Sequence, residues 1–500
     1  MLMSRAYNLR RYFGADMSVR VRPRYDKRMA LYRHIAEEFR TRIAKGELPP
    51  GARLPTVRAL AREVGTTRLT IHNAYRVLQS DGLIESVVGR GTFVSLQARP
   101  TAPLSFGERL DPDLVLSDLH RLQHTRVLHN LALATADPAL FPYQAFWACL
   151  EGLKPLAQEV FGYGSLMGDP ELRVALSELL ARRGIRADPQ EVLVTVGGLQ
   201  GLALVCRALA EPGEEVLLEE PTYLGLLGIL KQFRLKPLPV PLDPQGPRLE
   251  VLEVLLKRHR PRFYYTIPSY HNPTGLRFQE ARLQGLLELA RTYGFTLVED
   301  DTLGLLSYEK APPTPLLALA QRVGLAAYVV HLASLSKVLM PGLRIGYLVA
   351  PPELLERFIS LHNVSDITGP PPLLQRATAQ FVRQGGLKQH LRQVLPIYQR
   401  RRDVLLAALE RHMPPGVFWS RPEGGFSCWV SLPRLFSNLE LYRQALAQGV
   451  AITPGEAFVV QADQNMHFRL CFGAQSVEGL EEAVKKLAKL VSARVSHEQA

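Results

Sequence analysis

The residues best suited to chemistry gather around Lys337, in Ser334-Leu335-Ser336-Lys337-Val338-Leu339-Met340-Pro341-Gly342-Leu343-Arg344. An apolar β-branched run at 328–331 precedes them and reads as a short buried strand. A lysine that leaves a strand into a sheltered loop loses part of its hydration. Its pKa falls, and the neutral amine becomes a nucleophile for a carbonyl carbon. Ser334, Ser336 and Arg344 add two hydroxyls and a cation, the donors that a phosphate needs. On its own, Ser-x-Ser-Lys is more often a solvated loop; its companions along the chain reverse that.

Those companions stand at the ends of other predicted strands. Residues 192–196 run into Gly197-Gly198-Leu199-Gln200, where amides at a helix N-terminus suit a phosphate. Tyr223 follows the run 215–218 and offers a ring for stacking on a flat heterocycle. After 262–267 comes Ser269-Tyr270-His271-Asn272-Pro273-Thr274-Gly275. Its Asn272 can donate to a phenolate oxygen, although Asn-Pro-Thr-Gly is also an ordinary turn. Residues 296–298 end in Glu299-Asp300-Asp301, and a buried carboxylate there can keep a pyridine nitrogen protonated. Metal binding is the rival reading of that acidic burst, but no histidine is spaced to join it, so no metal is expected. An amine, a phosphate cradle, a stacking ring and a carboxylate together describe a pocket for pyridoxal 5'-phosphate.

The elements that must position these groups alternate from residue 130 onward. Apolar runs are separated by helical stretches such as 200–209 and 277–293. This pattern predicts an α/β domain with a mainly parallel sheet, whose ligands lie at the carboxyl ends of the strands.

Composition sets the outer bounds. The chain has 500 residues, too many for one ordinary core, and is 47% hydrophobic and 21% charged. No apolar run is long enough to cross a membrane, and the arginine-rich N-terminus lacks the apolar core of a secretory signal. Cys149, Cys206, Cys428 and Cys471 have no metal or redox spacing and read as core residues in a reducing cytoplasm. Charge is uneven. Residues 1–100 hold 19 Lys+Arg against 8 Asp+Glu, a net of +11, out of +13 for the whole chain. A nucleic-acid-binding head on a near-neutral body fits that asymmetry.

Within the head, residues 1–28 are basic without apolar period and read as a disordered arm that adds phosphate attraction; Met17 and Met29 are alternative starts. Leu31, Ile35, Phe39 and Ile43 form a helical stripe. A second helix carries Val57, Leu60, Ala61 and Val64 inward. Gly65-Thr66-Thr67 makes the turn, with Thr67 as N-cap. A third helix turns Ile71, Ala74, Tyr75 and Leu78 inward and leaves Leu69, His72, Asn73 and Arg76 opposite, with Arg68 and Thr70 at its start. Two short helices with a tight turn, the second presenting Arg, Thr, His and Asn, form a helix-turn-helix able to meet base edges and phosphates. Residues 83–88 and 92–94 read as a hairpin about Gly89-Arg90-Gly91, a wing whose Arg90 reaches a minor groove.

Residues 31–95, with "LPPGARLPTVRALAREVGTTRLTIHNAYRVLQSDGLIESVVGRGTFV", resemble the winged helix of the GntR family of bacterial repressors. That resemblance implies DNA contacts at Arg58, Arg68, Thr70 and Arg90. The motifs at Gly197-Gly198, Asn272, Asp300 and Lys337, with Tyr163-Gly164 and His467-Phe468-Arg469-Leu470, resemble fold-type I pyridoxal-phosphate aminotransferases. The resemblance implies a large transferase domain with a smaller C-terminal α+β subdomain. It further implies that Lys337 forms the Schiff base, Asp300 pairs with the pyridinium, Asn272 touches the ring oxygen and Tyr223 stacks. Gly198, Leu199, Ser334, Ser336 and Arg344 would bind phosphate. Tyr163 would reach a partner's cofactor across a dimer interface, and Arg469 would clamp a substrate or effector carboxylate. Two departures stand out. Thr302 and Leu303 occupy positions where relatives place a ring-oxygen tyrosine, and Leu133-Ala134 replaces a glycine pair.

A GntR-type head joined to an aminotransferase-like body resembles the MocR (GabR-like) regulators. The expected layout is an arm at 1–28, a winged helix at 29–95, a linker at 96–128 and the pyridoxal-phosphate domain at 129–495. Part of 96–128 reads equally well as surface of the large domain, with a short helix near 113–120. Three functions stay open. One is a cytoplasmic, homodimeric regulator that binds a double-stranded DNA operator and senses an amino acid, an amine or pyridoxal phosphate. The second is a working aminotransferase with an incidental basic head. The third is a repressor whose body is only a dimerisation scaffold.

Overall fold

In the computed structural model the described residues are 31–44, 48, 51–80, 83–87, 91–95, 127–365, 369–432, 438–460 and 466–498. The expected arm at 1–28, the helix near 113–120, most of the linker and the wing-tip Arg90 lie outside them. The chain divides into two units, residues 1–105 with 123–126, and 106–122 with 127–500.

In the first unit, helices α1 (Leu31–Ala44), α2 (Val57–Val64) and α3 (Arg68–Ser80) precede strands β1 (Ile84–Val87) and β2 (Gly91–Val94). Thr56 caps α2 by accepting from the Ala59 amide, and Gly65 closes it at φ +65, a left-handed turn that glycine adopts without strain. The expected cap at Thr67 forms, its hydroxyl accepting from the Thr70 amide at 3.1 Å. Ile35, Phe39, Ile43, Leu60, Ala61, Ile71, Ala74, Tyr75 and Leu78 are buried in one core. The Tyr75 hydroxyl donates to the Pro55 carbonyl at 2.8 Å and ties α3 to the start of α2. β1 and β2 pair antiparallel as expected. Residues 51–54 also run along β2, through Val94 N to Ala52 O at 2.8 Å and Leu54 N to Thr92 O at 2.8 Å.

The second unit centres on an eight-stranded sheet in the order β4-β11-β10-β9-β8-β5-β6-β7. Its strands are β4 (Val192–Val196), β5 (Glu215–Glu220), β6 (Lys236–Asp243), β7 (Gly246–Pro247), β8 (Phe263–Thr266), β9 (Thr296–Asp300), β10 (Val329–Ser334) and β11 (Ile345–Val349). The pairs from β10 through β9, β8, β5 and β6 are parallel, whereas β11 lies antiparallel between β4 and β10, and β7 is an antiparallel edge. Helices cover the sheet, so β8, β10 and β11 are buried along their whole length. A four-stranded antiparallel sheet, β12 (Phe418–Trp419), β13 (Ser427–Leu432), β16 (Met466–Cys471) and β15 (Thr453–Pro454), supplies the α+β part. β3 (His129–Asn130) pairs in parallel with β14 (Val450–Ala451), so the chain enters this unit alongside the C-terminal part.

Several expected boundaries shift by one to three residues. The helix expected from residue 277 begins at Glu280, because 277–279 cross from the strand-end turn. Ser334 belongs to β10, where it pairs with Gly346, instead of opening the following loop.

Candidate cofactor site and recognition helix

Strand alternation aims the site. In β9, Asp300 shares a sheet face with Val298, whereas Glu299 and Asp301 turn to the other face. Asp300 is held at both oxygens: Oδ1 accepts from the Thr302 amide at 3.0 Å and Oδ2 from the Tyr265 hydroxyl at 2.8 Å. Tyr265, in the middle of β8, has no place in the sequence reading. Its position in an apolar strand reads as core, and only the register of β8 on β9 reveals a partner for its hydroxyl.

Lys337 follows β10 by three residues and is half-buried, its Nζ donating to the Ala134 carbonyl at 2.5 Å. Burial, reinforced by the charges of Arg469 and Arg344, brings its pKa from 10.5 down to about 8. The Asp300 charge acts on it in the opposite sense. Burial together with the Asp300 charge pushes the Tyr223 phenol up to about 12. The charges of Arg469, Arg344 and Asp300 thus reach both Lys337 and Tyr223.

Around the predicted phosphate cradle, Ser334 Oγ lies 3.0 Å from Ser336 Oγ and accepts from the Ser336 amide at 3.2 Å. Arg344, at φ +56, donates from Nη2 to the Val196 carbonyl at 3.1 Å. Gly197, at φ +74, opens the helix Gly197–Leu209; a Cβ there would collide with the Arg344 guanidinium. Gly198 is walled by Ser334 and Thr302, while the Leu199 side chain points outward at 45% exposure, leaving only its backbone for an anion. This cradle fits a phosphate: hydroxyls, a cation and a glycine turn at the start of a 13-residue helix.

Arg469 projects from β16 and is 3% exposed. Its Nη1 donates to Asn272 Oδ1 at 2.7 Å, and its Nη2 to the Ala132 carbonyl at 2.7 Å and Thr453 Oγ1 at 3.3 Å. The guanidinium also stands 4.8 Å from the Phe458 ring centroid. Its buried Nε has no hydrogen-bond partner among the described residues, an orphan donor that a carboxylate would satisfy. Where relatives carry the ring-oxygen tyrosine, Leu303 is buried and Thr302 faces the glycine turn. Tyr163 stands apart from these groups, 94% exposed.

Behind Asp300 lies a second polar layer that the sequence reading missed. Register places Thr266, Glu299 and His331 side by side across β8, β9 and β10. Glu299 Oε2 lies 2.8 Å from His331 Nδ1, and its oxygens accept the Leu316 and Leu317 amides at 2.5 and 3.1 Å. Burial opposes both charges, yet their attraction wins, lowering the Glu299 pKa and raising that of His331. Arg183 donates to Asp301 at 2.8 Å beside them. Among the described residues, no cluster of three His, Cys, Asp or Glu could hold a metal. All four cysteines are buried free thiols.

On α3, Arg68, His72 and Arg76 are exposed and Asn73 is half-buried; Arg58 on α2 is exposed as well. Thr70 has a local partner. Its hydroxyl already exchanges a 2.8 Å hydrogen bond with Thr67 Oγ1, so it helps to build the helix start.

Comparison with known proteins follows this division. Residues 131–487 match the family model Aminotransferase class I and II, and residues 31–94 match Bacterial regulatory proteins, gntR family. The chain is 29% identical over 475 residues to an uncharacterized HTH-type transcriptional regulator, YdfD, of Bacillus subtilis (strain 168), covering 93% of this chain and 97% of the relative. It is 30% identical over 444 residues to the probable rhizopine catabolism regulatory protein MocR of Rhizobium meliloti, covering 86% and 87%. Among solved structures, Pyrococcus horikoshii kynurenine aminotransferase in complex with PMP superposes at a TM-score of 0.72 and 32% identity, over 77% of this chain and 95% of that one.

Proposed function

The chain belongs to the aminotransferase class I and II family and, with its gntR-family head, to the MocR-type transcriptional regulators; from that premise we propose that it senses an amino acid or amine through pyridoxal 5'-phosphate. In this reading the head binds a double-stranded DNA operator mainly through α3, with Arg68, His72, Asn73 and Arg76 of α3 and Arg58 of α2 facing the nucleic acid. In the body, Lys337 holds the cofactor, Asp300 faces its ring nitrogen and Tyr223 its ring. The cradle of Gly198, Leu199, Ser334, Ser336 and Arg344 takes the phosphate. When bound, pyridoxal phosphate supplies a carbonyl carbon for primary amines and an electron-withdrawing ring.

This chain's own residues do the remainder. Burial keeps a usable share of Lys337 neutral near pH 8. Arg469, already fixed by Asn272, Ala132 and Thr453, presents its remaining donors, the orphaned Nε–H among them, to an effector carboxylate. The observation that carries the proposal is the meeting of Lys337, Asp300 and Arg469 in a chain that also carries an exposed recognition helix.

A second reading, a working aminotransferase, is favoured by the intact Arg469 clamp. Leu303 and Thr302 speak against full activity, since neither can reproduce a phenol at the ring oxygen. A cytoplasmic homodimer completes the proposal. Trp147, Phe161 and Tyr163 are 67%, 75% and 94% exposed, large rings whose exposure suits a protein partner. Tyr163 would then serve the partner's phosphate site. One experiment tests the cofactor assignment: purified protein should show an absorbance band that borohydride reduction fixes to the peptide containing Lys337. Lys337→Ala should lose that attachment; its persistence at full yield would assign another lysine.

A further inference from the structure

Tyr265 is fully buried and belongs to the apolar cluster of Leu218, Phe263, Ile267, Val298 and Leu332. Its ring is therefore fixed by packing, and its hydroxyl donates at 2.8 Å to Asp300 Oδ2. Burial first, then the Asp300 charge, raises its pKa well above the ordinary phenol value, so it is a permanent donor and never a base at working pH. The other oxygen of Asp300 is tied to the Thr302 amide at 3.0 Å. One bond on each oxygen fixes the carboxylate plane. Each oxygen keeps a further lone pair, and the directions of those lone pairs follow from the two bonds already made.

We propose that Tyr265 is a positioning residue for the cofactor, holding Asp300 so that its remaining lone pairs meet the protonated ring nitrogen. This rests on the reading above that Asp300 faces that nitrogen. A carboxylate free to rotate about its Cβ–Cγ bond would lose orientational preference, and a buried charge-assisted hydrogen bond depends steeply on angle. Two carboxylate neighbours of Asp300 do not share this role. Glu299 and Asp301 turn to the opposite sheet face and are occupied by His331 and Arg183. Tyr223 carries the other phenol near Asp300, but no hydrogen bond joins the two.

The alternative is that the hydrogen bond only satisfies a buried phenol. The two roles separate by ligand. Loss of a merely structural bond weakens every ligand of the site alike; loss of a positioning bond is felt only by a ligand that has the ring nitrogen. The experiment uses the full chain and measures equilibrium binding of pyridoxal 5'-phosphate and of its 1-deaza analogue, in which carbon replaces the ring nitrogen. Wild type, Tyr265→Phe, Asp300→Asn and the double variant are compared, with thermal melting as the check on folding.

Tyr265→Phe should weaken pyridoxal phosphate about tenfold, the size of one hydrogen bond to a charged group, and change the analogue less than twofold. In the double variant the tyrosine substitution should add less than twofold to the loss caused by Asp300→Asn. Equal losses for both ligands, or full additivity in the double variant, would overturn the proposal. So would unchanged pyridoxal phosphate binding in Tyr265→Phe while Asp300→Asn is weakened, which leaves the Asp300 assignment standing. If Asp300→Asn itself leaves binding unchanged, the assignment of Asp300 and this inference fall together. Should Tyr265→Phe lower the melting temperature too far for titration, Thr302→Pro, which deletes the amide on Asp300 Oδ1, tests the same requirement from the other oxygen.

Discussion

Arg469 and Asn272 are joined by a 2.7 Å hydrogen bond between Nη1 and Oδ1. The arginine assigned to an effector carboxylate thus also orients the amide assigned to the cofactor ring. Its Nη2 is committed to Ala132 and Thr453, which fixes the guanidinium plane before any ligand arrives. Lysine, a point charge on a flexible stem, cannot make this set of contacts. Arg469→Lys should leave pyridoxal phosphate affinity within about threefold and weaken amino-acid binding about 10- to 100-fold, the range for lost charge-assisted hydrogen bonds. Titrating amino acids against the absorbance of the bound cofactor measures both, and unchanged amino-acid affinity would remove Arg469 from the effector site.

The depressed pKa of Lys337 has a kinetic consequence. Only the neutral amine attacks a carbonyl carbon. With the pKa lowered from 10.5 to about 8, the neutral fraction at pH 7 is about 300-fold larger than for an ordinary lysine. Cofactor capture by the apoprotein, followed by rapid mixing, should therefore accelerate with a midpoint near pH 8. A midpoint above pH 10 would show a solvated lysine.

The pair Glu299–His331 makes stability depend on pH in two directions. The lowered Glu299 pKa stabilises the fold above the ordinary 4.5, and that gain is lost as pH falls through the depressed value. The raised His331 pKa stabilises below the ordinary 6.5, and that gain is lost as pH rises through the elevated value. The pair should contribute most between pH 4.5 and 6.5. His331→Gln strands a buried carboxylate and should cost about 3 kcal/mol in that window, with a smaller difference at high pH. Denaturant titrations of both proteins across pH check this; a pH-independent difference would mean that packing alone is lost.

On the recognition helix, Arg68 and Thr70 should part company. Arg68 is exposed, and Arg68→Ala should weaken specific operator binding by about 1–3 kcal/mol if it reads a base. The Thr70 hydroxyl is bonded to Thr67, so Thr70→Val should act on head stability and leave the ratio of specific to non-specific binding unchanged. Gel-shift titrations at fixed salt, paired with melting curves, separate the two effects.

Much of this was legible in the sequence because strand ends carry the site. β4 begins and ends where its apolar run does, and Lys337, Asp300, Asn272 and Arg344 could be named from the motifs around them. The head was equally readable, since its buried positions recur at helical spacing. What escaped depends on register between distant strands. Tyr265 looks like core in a run of four buried residues until β8 is laid against β9. Glu299 and His331 lie 32 residues apart and meet only because β9 and β10 pair in parallel. The Thr67–Thr70 hydrogen bond escaped for a local reason, as residue type on an exposed helix start does not tell capping from contact.

The central claim, that ligand binding in the body controls the head, is tested most directly by operator affinity with and without amino acids, measured on cofactor-loaded protein while keto-acid production is assayed in the same samples. Two sites joined by a typical coupling of about 1–3 kcal/mol should shift operator affinity about 5- to 150-fold for at least one amino acid or amine. Keto-acid release should be slow or undetectable, and the shift should vanish in Lys337→Ala. Ordinary aminotransferase turnover with operator affinity unchanged by every ligand, pyridoxal phosphate included, would contradict the account and make this protein an enzyme.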